Sequence, residues 1–289
     1  MTARTGAPVI ALLASQLRAD DKRLLEALER RRIGCEHADT RAFWGDPATP
    51  PHWRGVLNRE IGQVRAAYAA RTLELFGVPV VNSAEAIEVC GDKWRCTLAL
   101  AGAGLPLPRT ALGLTTESAL AALDAIGYPA VIKPLTGSWG RLIAELPDRR
   151  TAESFLEYVA DRSSPQARLA YLQELIDKPS RDIRAIVVGG ELLGATYRIG
   201  PGLRTNVALG ARTEACVETP EITKLATAAA AAVGADIAGV DLIESRDGRL
   251  LVLEVNHRVE FSGFQAAVGD RVDVAGRIVD HLVAMAVQW

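Results

Sequence analysis

The chain lacks most of the signatures that announce a function directly. Its 289 residues include four cysteines, Cys35, Cys90, Cys96 and Cys216, with no C-x-x-C pair and no zinc-like spacing. That excludes a disulfide scaffold and a cysteine zinc frame, and reads as free buried thiols in a reducing compartment. No apolar run approaches the roughly 18 residues of a membrane span. The run Ala7 to Ala14 is short and leads straight into Arg18-Ala-Asp-Asp-Lys22, so it reads as a first strand and not a signal peptide. The expected location is cytoplasmic. Neither sign of charge dominates: 33 basic and 35 acidic residues give a net charge of −2. Nothing therefore draws the chain toward nucleic acid or an anionic membrane. No G-x-G-x-x-G follows the first strand, so dinucleotide binding is not indicated. Neither G-x-S-x-G nor a catalytic cysteine motif is present, and His52 and His257 have no triad partners in view, so hydrolase chemistry is rejected.

What remains is an ordinary globular composition, 49% hydrophobic and 24% charged, in a chain long enough for two or three domains. In the first part, strands at Pro8–Ala14, Gly55–Asn58 and Val78–Val81 alternate with helices at Asp20–Arg32 and Glu60–Phe76. Alternation of that kind argues for a parallel α/β unit. A helix over Cys90–Ala103 ends at Gly104 before an extended Pro106/Pro108 exit. Helices at Ser118–Ile126 and Thr151–Arg162, with strands at Tyr128–Pro134 and Leu169–Ile176, fit a small α+β domain. Asp182–Val188 and Glu191–Ile199 form a hairpin through Gly189-Gly190. An alanine-rich helix, Glu221–Val233, precedes a second hairpin, and Val272–Val287 closes the chain as a helix. The segments Gly200–Gly210 and Thr213–Pro220 read as loops.

The second hairpin, Val240 to Asn256, turns at Asp247-Gly248. With a two-residue loop Asp241 lies opposite Glu254, and Asn256, Ile243 and Val252 share their face. Opposed carboxylates on an apolar face are destabilising unless a cation lies between them. Two carboxylates and an amide oxygen are hard ligands of the kind that hold Mg²⁺ beside substrate phosphates. The plainer alternative is a hairpin whose acids reach solvent. Lys133, in an apolar strand before Pro134, is costly to bury without an anion. The following Gly137-Ser-Trp-Gly-Arg141 can turn backbone N–H groups toward phosphate, although a simple turn is its commoner meaning. Lys93 lies near a helix start, where lysines are usually solvated. Gln173-Glu-Leu-Ile176 offers backbone groups to a base edge, as any strand end does. Arg181, Asp182, Arg184, Arg198 and Arg204 crowd one region, with Asn206 just beyond. They either form surface ion pairs or clamp carboxylate and phosphate groups.

In order, these pieces resemble the ATP-grasp fold, and more narrowly the LysX/ArgX group related to RimK. The resemblance rests on Gly91-Asp-Lys-Trp94, Gly104-Leu-Pro-Leu-Pro-Arg-Thr-Ala111, Gly137–Arg141, Arg181-Asp-Ile-Arg184, Arg204-Thr-Asn206 and Glu254-Val-Asn-His257. It implies an α/β (α+β) fold of three domains: a parallel α/β domain (1–88), a small central domain (89–172) and a C-terminal antiparallel-sheet domain (173–289). It implies ATP contacts from Lys93, Lys133, Gly137, Ser138, Trp139, Gly140, Arg141, Gln173, Glu174, Leu175, Ile176, Asp182 and Asn206. It gives Mg²⁺ to Asp241, Glu254 and Asn256, a catalytic place to Arg184 and Arg198, and substrate contacts to Arg198, Arg204, Asn206, Ser262, Gly263 and Phe264.

The implied reaction joins the amino group of a free amino acid to the C-terminal glutamate of a small acidic carrier protein through an acylphosphate. The implied assembly is a homo-oligomer, a dimer or tetramer. Gly263-Phe264 resembles the glutamate-using version of the family, with the phenylalanine shortening the pocket against 2-aminoadipate. One methylene is worth a factor of about 10–200. Two features depart from the pattern: Ser180 stands where relatives often have glycine, and Gly200-Pro-Gly-Leu203 replaces a more polar linker. RimK-like addition of glutamate to a protein tail, and a catalytically silent nucleotide-binding module, are the alternatives.

Overall fold

The computed structural model describes residues 9–137, 142–200 and 212–287. Strands β1 (Ile10–Leu13), β2 (Cys35–Ala38), β3 (Gly55–Asn58) and β4 (Val80–Val81) make a parallel sheet in the order β2-β1-β3-β4. β1 and β3 are buried throughout, which is why they read as uninterrupted apolar runs. Helices α1 (Ala19–Arg30) and α2 (Gln63–Glu74) cover opposite faces.

The helix expected over Cys90–Ala103 is α4 (Lys93–Gly102), which starts three residues later because a separate helix, α3 (Ala84–Gly91), ends on the first two residues of that span. The break is at Asp92, whose carboxylate accepts from the N–H groups of Trp94 and Arg95. An aspartate that caps the next helix stops the previous one. Strands β5 (Thr110–Gly113), β6 (Ala130–Lys133), β7 (Ala144–Leu146) and β8 (Ala170–Glu174) form an antiparallel sheet in the order β5-β8-β6-β7. It is backed by α5 (Thr116–Ile126) and α6 (Arg149–Ala160).

The third sheet is antiparallel and runs β11-β10-β9-β12-β13, from β9 (Arg181–Val188), β10 (Glu191–Ile199), β11 (Arg212–Ala215), β12 (Ile237–Glu244) and β13 (Leu250–Asn256). β11 corrects part of the loop expected over Thr213–Pro220; it is a short polar edge strand with no apolar alternation to betray it. β2 and β7 escaped notice for the same reason. One face of this sheet packs under α4 and α7 (Pro220–Ala232), burying Ile183, Ala185, Val187, Val240, Leu242 and Val252. On the other face Ile186, Val188 and Ile237 join β1, α1, α8 (Ser262–Val268) and the final helix α9 (Val274–Val287) in one core. The last helix thus returns to the first sheet.

Among the described residues no helix is long and apolar enough to cross a membrane. Asn82, 2% exposed, joins the first sheet to the third. Its Oδ1 accepts from Ile237 N–H at 2.9 Å, and its Nδ2 donates to the carbonyls of Ile237 at 2.8 Å and His257 at 2.6 Å. Asn82→Ala leaves these buried groups unpaired. It is expected to destabilise the fold by about 1–3 kcal/mol, read as a lower urea midpoint at unchanged slope.

Candidate functional site

The half of the third sheet that does not join the apolar core carries charge. Alternation along β9, β10, β12 and β13 places Asp182, Arg184, Arg198, Asp241, Glu254 and Asn256 on that same face. The register confirms Asp241 opposite Glu254 and Gly239 opposite Asn256, by a route other than a two-residue loop. Arg246, Asp247 and Gly248 form a three-residue loop: Ser245 N–H donates to Arg249 O, Gly248 N–H donates to Ser245 O, and Gly248 has φ +84°. That shifts the pairing by one residue, and an irregularity between Asp241 and Leu242 shifts it back. Val252 therefore faces Leu242 and the core, which corrects its expected place beside the acids.

The cations that opposed carboxylates require are supplied by the protein. Asp241 is 3% exposed and receives a fork from Arg184, Nε at 2.5 Å and Nη2 at 3.0 Å. Arg198 Nη2 lies 3.1 Å from the same carboxylate, while its Nε donates to Asp182 at 2.6 Å. Gly239 leaves room for the Arg184 head group: an added Cβ there would lie 2.7 Å from Nη1, and the guanidinium would have to shift. Burial still pushes the Asp241 carboxyl upward, against the pull of Arg184 and Arg198. Glu254 goes the other way: burial works upward there too, but Lys93, Lys133, Arg184 and Arg198 outweigh it and lower its pKa to about 2. Asn256 Nδ2 lies 3.5 Å from Glu254 Oε1.

The two lysines reach Glu254 from the other side. With Cys90, Cys96 and Tyr171, Lys93 and Lys133 line a small cavity against it. Lys93 is not simply solvated: its Nζ donates to Gly137 O at 3.0 Å, and its N–H donates to Leu135 O. Lys133 Nζ donates to Gln173 Oε1 at 2.6 Å. Burial lowers the Lys133 pKa to about 8, with Glu254 opposing that fall and Lys93 adding to it. Gln173 is buried, and its Nε2 also donates to Thr110 Oγ1. The N–H groups of Glu174 and Leu175 donate to Arg109 O and Pro129 O, so neither is spare for a ligand in this form.

Other expected residues fall elsewhere. Arg181 leaves the cluster: it pairs with Glu244 at 2.7 Å and stacks on Tyr197 at 4.1 Å. Ser138, Trp139, Gly140, Arg141, Arg204 and Asn206 lie outside the described residues. Ser262 donates its hydroxyl to Asp20, Gly263 lies in α8, and Phe264 is 3% exposed within the core, its ring tip against Gly194. Lys178 escaped sequence reasoning. It is largely buried, 4.0 Å from Asp182, and burial lowers its pKa. Its spacing of four from Asp182 is the one sequence sign of that pairing.

Five cations, Lys93, Lys133, Lys178, Arg184 and Arg198, therefore meet three carboxylates, Asp182, Asp241 and Glu254. That surplus is suited to a multiply charged anion. Among the described residues no three His, Cys, Asp or Glu side chains gather into a metal cage. Asp241, Glu254 and Asn256 offer two carboxylates and one amide oxygen, which fits a hard cation sharing its shell with phosphate.

The chain is similar to known proteins over most of its length. Residues 90–282 match the RimK-like ATP-grasp domain and residues 10–89 the LysX preATP-grasp domain. Glutamate–LysW ligase ArgX of Sulfurisphaera tokodaii is 30% identical over 280 residues, 94% of this chain and 97% of its own. Alpha-aminoadipate–LysW ligase LysX of Saccharolobus solfataricus is 34% identical over 250 residues, 84% of this chain and 90% of its own. The crystal structure of a RimK domain ATP-grasp protein from Sphaerobacter thermophilus superposes with a TM-score of 0.78 at 28% identity. That match covers 95% of this chain and 99% of the other.

A lysine held near a pKa of 8 in the fold, against the usual 10.5, weakens the ligand-free protein. Below pH 8 the folded and unfolded states are both protonated and the full penalty applies. As pH rises from 8 to 10.5 the folded state sheds its proton first and the penalty fades. Lys133→Met is therefore expected to be more stable than the parent at pH 7, on the order of 1–2 kcal/mol. The gain should shrink above pH 8 in parallel thermal melts.

Proposed function

The chain belongs to the RimK-like ATP-grasp family, and on that premise we propose that it is an ATP-dependent carboxylate–amine ligase acting on a small acidic carrier protein. The carrier carboxylate attacks the γ-phosphate of ATP, forming an acylphosphate and releasing ADP. The α-amino group of free glutamate then attacks the acyl carbon, phosphate leaves, and an amide remains. No protein nucleophile takes part. The observation that carries this reading is the single charged face in which Lys93, Lys133, Arg184 and Arg198 converge on Asp241 and Glu254.

In this reading Lys93 and Lys133 take phosphate oxygens, and Lys133 becomes fully charged when the anion replaces lost solvent. Arg198 and Arg184 exchange part of their hold on Asp241 for the transferring phosphoryl group, whose spreading charge they neutralise. Lys178 and Asp182 sit behind Arg198 and fix its direction. Gln173 to Ile176 would border the base and Gly137 would face the phosphates, while the phosphate roles expected of 138–141 and Asn206 fall on residues outside those described. The substrate contacts expected of Arg204 and Asn206 likewise fall on residues outside those described.

Asp241, Glu254 and Asn256 would hold Mg²⁺, which supplies charge neutralisation at the β- and γ-phosphates. Glutamate is taken as the amino acid, with 2-aminoadipate as the alternative; the wall expected from Phe264 is not an exposed one, because that side chain is buried in the core against Gly194. The protein is expected to work in the cytoplasm as a homo-oligomer.

Glu254→Ala should abolish ADP release in the presence of ATP, Mg²⁺, glutamate and an acidic carrier, with an unchanged circular dichroism spectrum. Normal turnover by that variant would sink the metal assignment. In the parent, tight ATP binding without ADP release for any acidic carrier would favour a silent nucleotide-binding module. The mass of the product separates glutamate from 2-aminoadipate, and one addition from several.

A further inference from the structure

Two neighbouring carboxylates at the start of α1 lie outside the charged face, yet they grip the segment leaving its last strand. Asp20 is 5% exposed and Asp21 fully buried, unlike the solvated acids usual in a helix's first turn. Asp21 has a local duty, since its Oδ2 accepts from Arg18 N–H at 3.0 Å. Its Oδ1 accepts from Arg59 Nε at 2.7 Å, and Arg59 Nη1 donates to Val259 O at 3.0 Å. Arg258 Nε donates to Arg59 O at 2.8 Å, and its Nη2 lies 3.5 Å from Asp21.

Asp20 has no such local duty. Its Oδ2 accepts from Phe261 N–H at 2.7 Å and its Oδ1 from the Ser262 hydroxyl. Both partners are more than 240 positions away in the chain. The segment held in this way runs from Asn256 on β13 to Ser262, the first residue of α8.

We infer that Asp20 is a positioning residue for the amino-acid substrate: it fixes the 257–262 segment, and through it the start of α8, relative to Asn256. This rests on the ligase reading above, in which that segment borders the amino acid. Lys93 and Lys133 line a cavity against Glu254 with Cys90, Cys96, Tyr171 and Leu253, and neither Asp20 nor the 257–262 segment contributes to that lining. A helper confined to one half should separate the two substrates kinetically. A residue serving only the fold would weaken both alike.

The test uses the full chain and Asp20→Asn, which keeps the shape but leaves only one acceptor oxygen for two donors. Loss of one charge-assisted hydrogen bond is worth about a tenfold change. KM for glutamate is expected to rise about tenfold, with KM for ATP within about twofold of the parent. Amide exchange at Phe261 should quicken in the same variant. Paired with Ser262→Ala, the double variant should be little worse than the poorer single one, because both remove the same contact.

An unchanged exchange rate at Phe261 would overturn the proposal, as would equal rises in both KM values with a lower melting temperature. If the parent forms no ADP with any amino acid and carrier, the ligase reading has failed. The exchange measurement still decides whether Asp20 holds the segment.

Discussion

Asp241 sits where burial disfavours its charge, between two guanidinium groups that favour it, and the rest of the site is arranged around that contest. A buried ion pair is a weak source of stability, because desolvating both ions consumes most of what their attraction returns. What the arrangement provides is a fixed set of donors aimed at one place. Arg184 is held in a fork by Asp241, and Arg198 is stretched between Asp241 and Asp182. Two lysines face Glu254 from the middle sheet and α4. Glu254 keeps its charge because the crowded cations outweigh its burial, whereas Lys133 is pushed toward neutrality mainly by its own burial, with Lys93 adding to the effect and Glu254 opposing it. A polyphosphate entering this face would relieve the surplus, and the protein would need little reorganisation to receive it.

Two of the three sheets contribute to that face, which explains why the fold has to bring them together. β13 lies at the edge of the third sheet and carries Glu254 and Asn256. β6 and β8 bring Lys133 and Gln173 from the middle sheet, and Asp92 starts α4 so that Lys93 reaches Gly137. The break at Asp92 between α3 and α4 puts Lys93 in a capped first turn, a fixed position that one continuous helix would not provide. Gly239 serves the same end by leaving room for the Arg184 head group.

How much of this was legible in the chain depended on whether the information was local. The two glycines at 189 and 190, both with positive φ, announced their hairpin, and strand alternation then fixed which side chains share a face. The opposition of Asp241 and Glu254 was also legible, but for an incomplete reason. A longer loop and a compensating irregularity cancel at those residues and not at Val252, where parity is reversed. Short polar edges such as Arg212–Ala215 carry no alternation to read. Arg181 and Arg184 look equivalent in sequence, yet odd and even positions on a strand face opposite ways, and only the even one meets Asp241.

Long-range pairings were wholly hidden. Nothing near Asp20 indicates Phe261 or Ser262, and nothing near Arg59 indicates Val259. These contacts give the N-terminal sheet a role that its composition does not reveal. Phe264 shows the same principle from the apolar side. It was expected as a wall beside the substrate, yet it lies in the core against Gly194. The 257–262 segment is thus fixed by Asp20 and Asp21 on α1, and the charged face of β9 to β13 by a separate set of ion pairs.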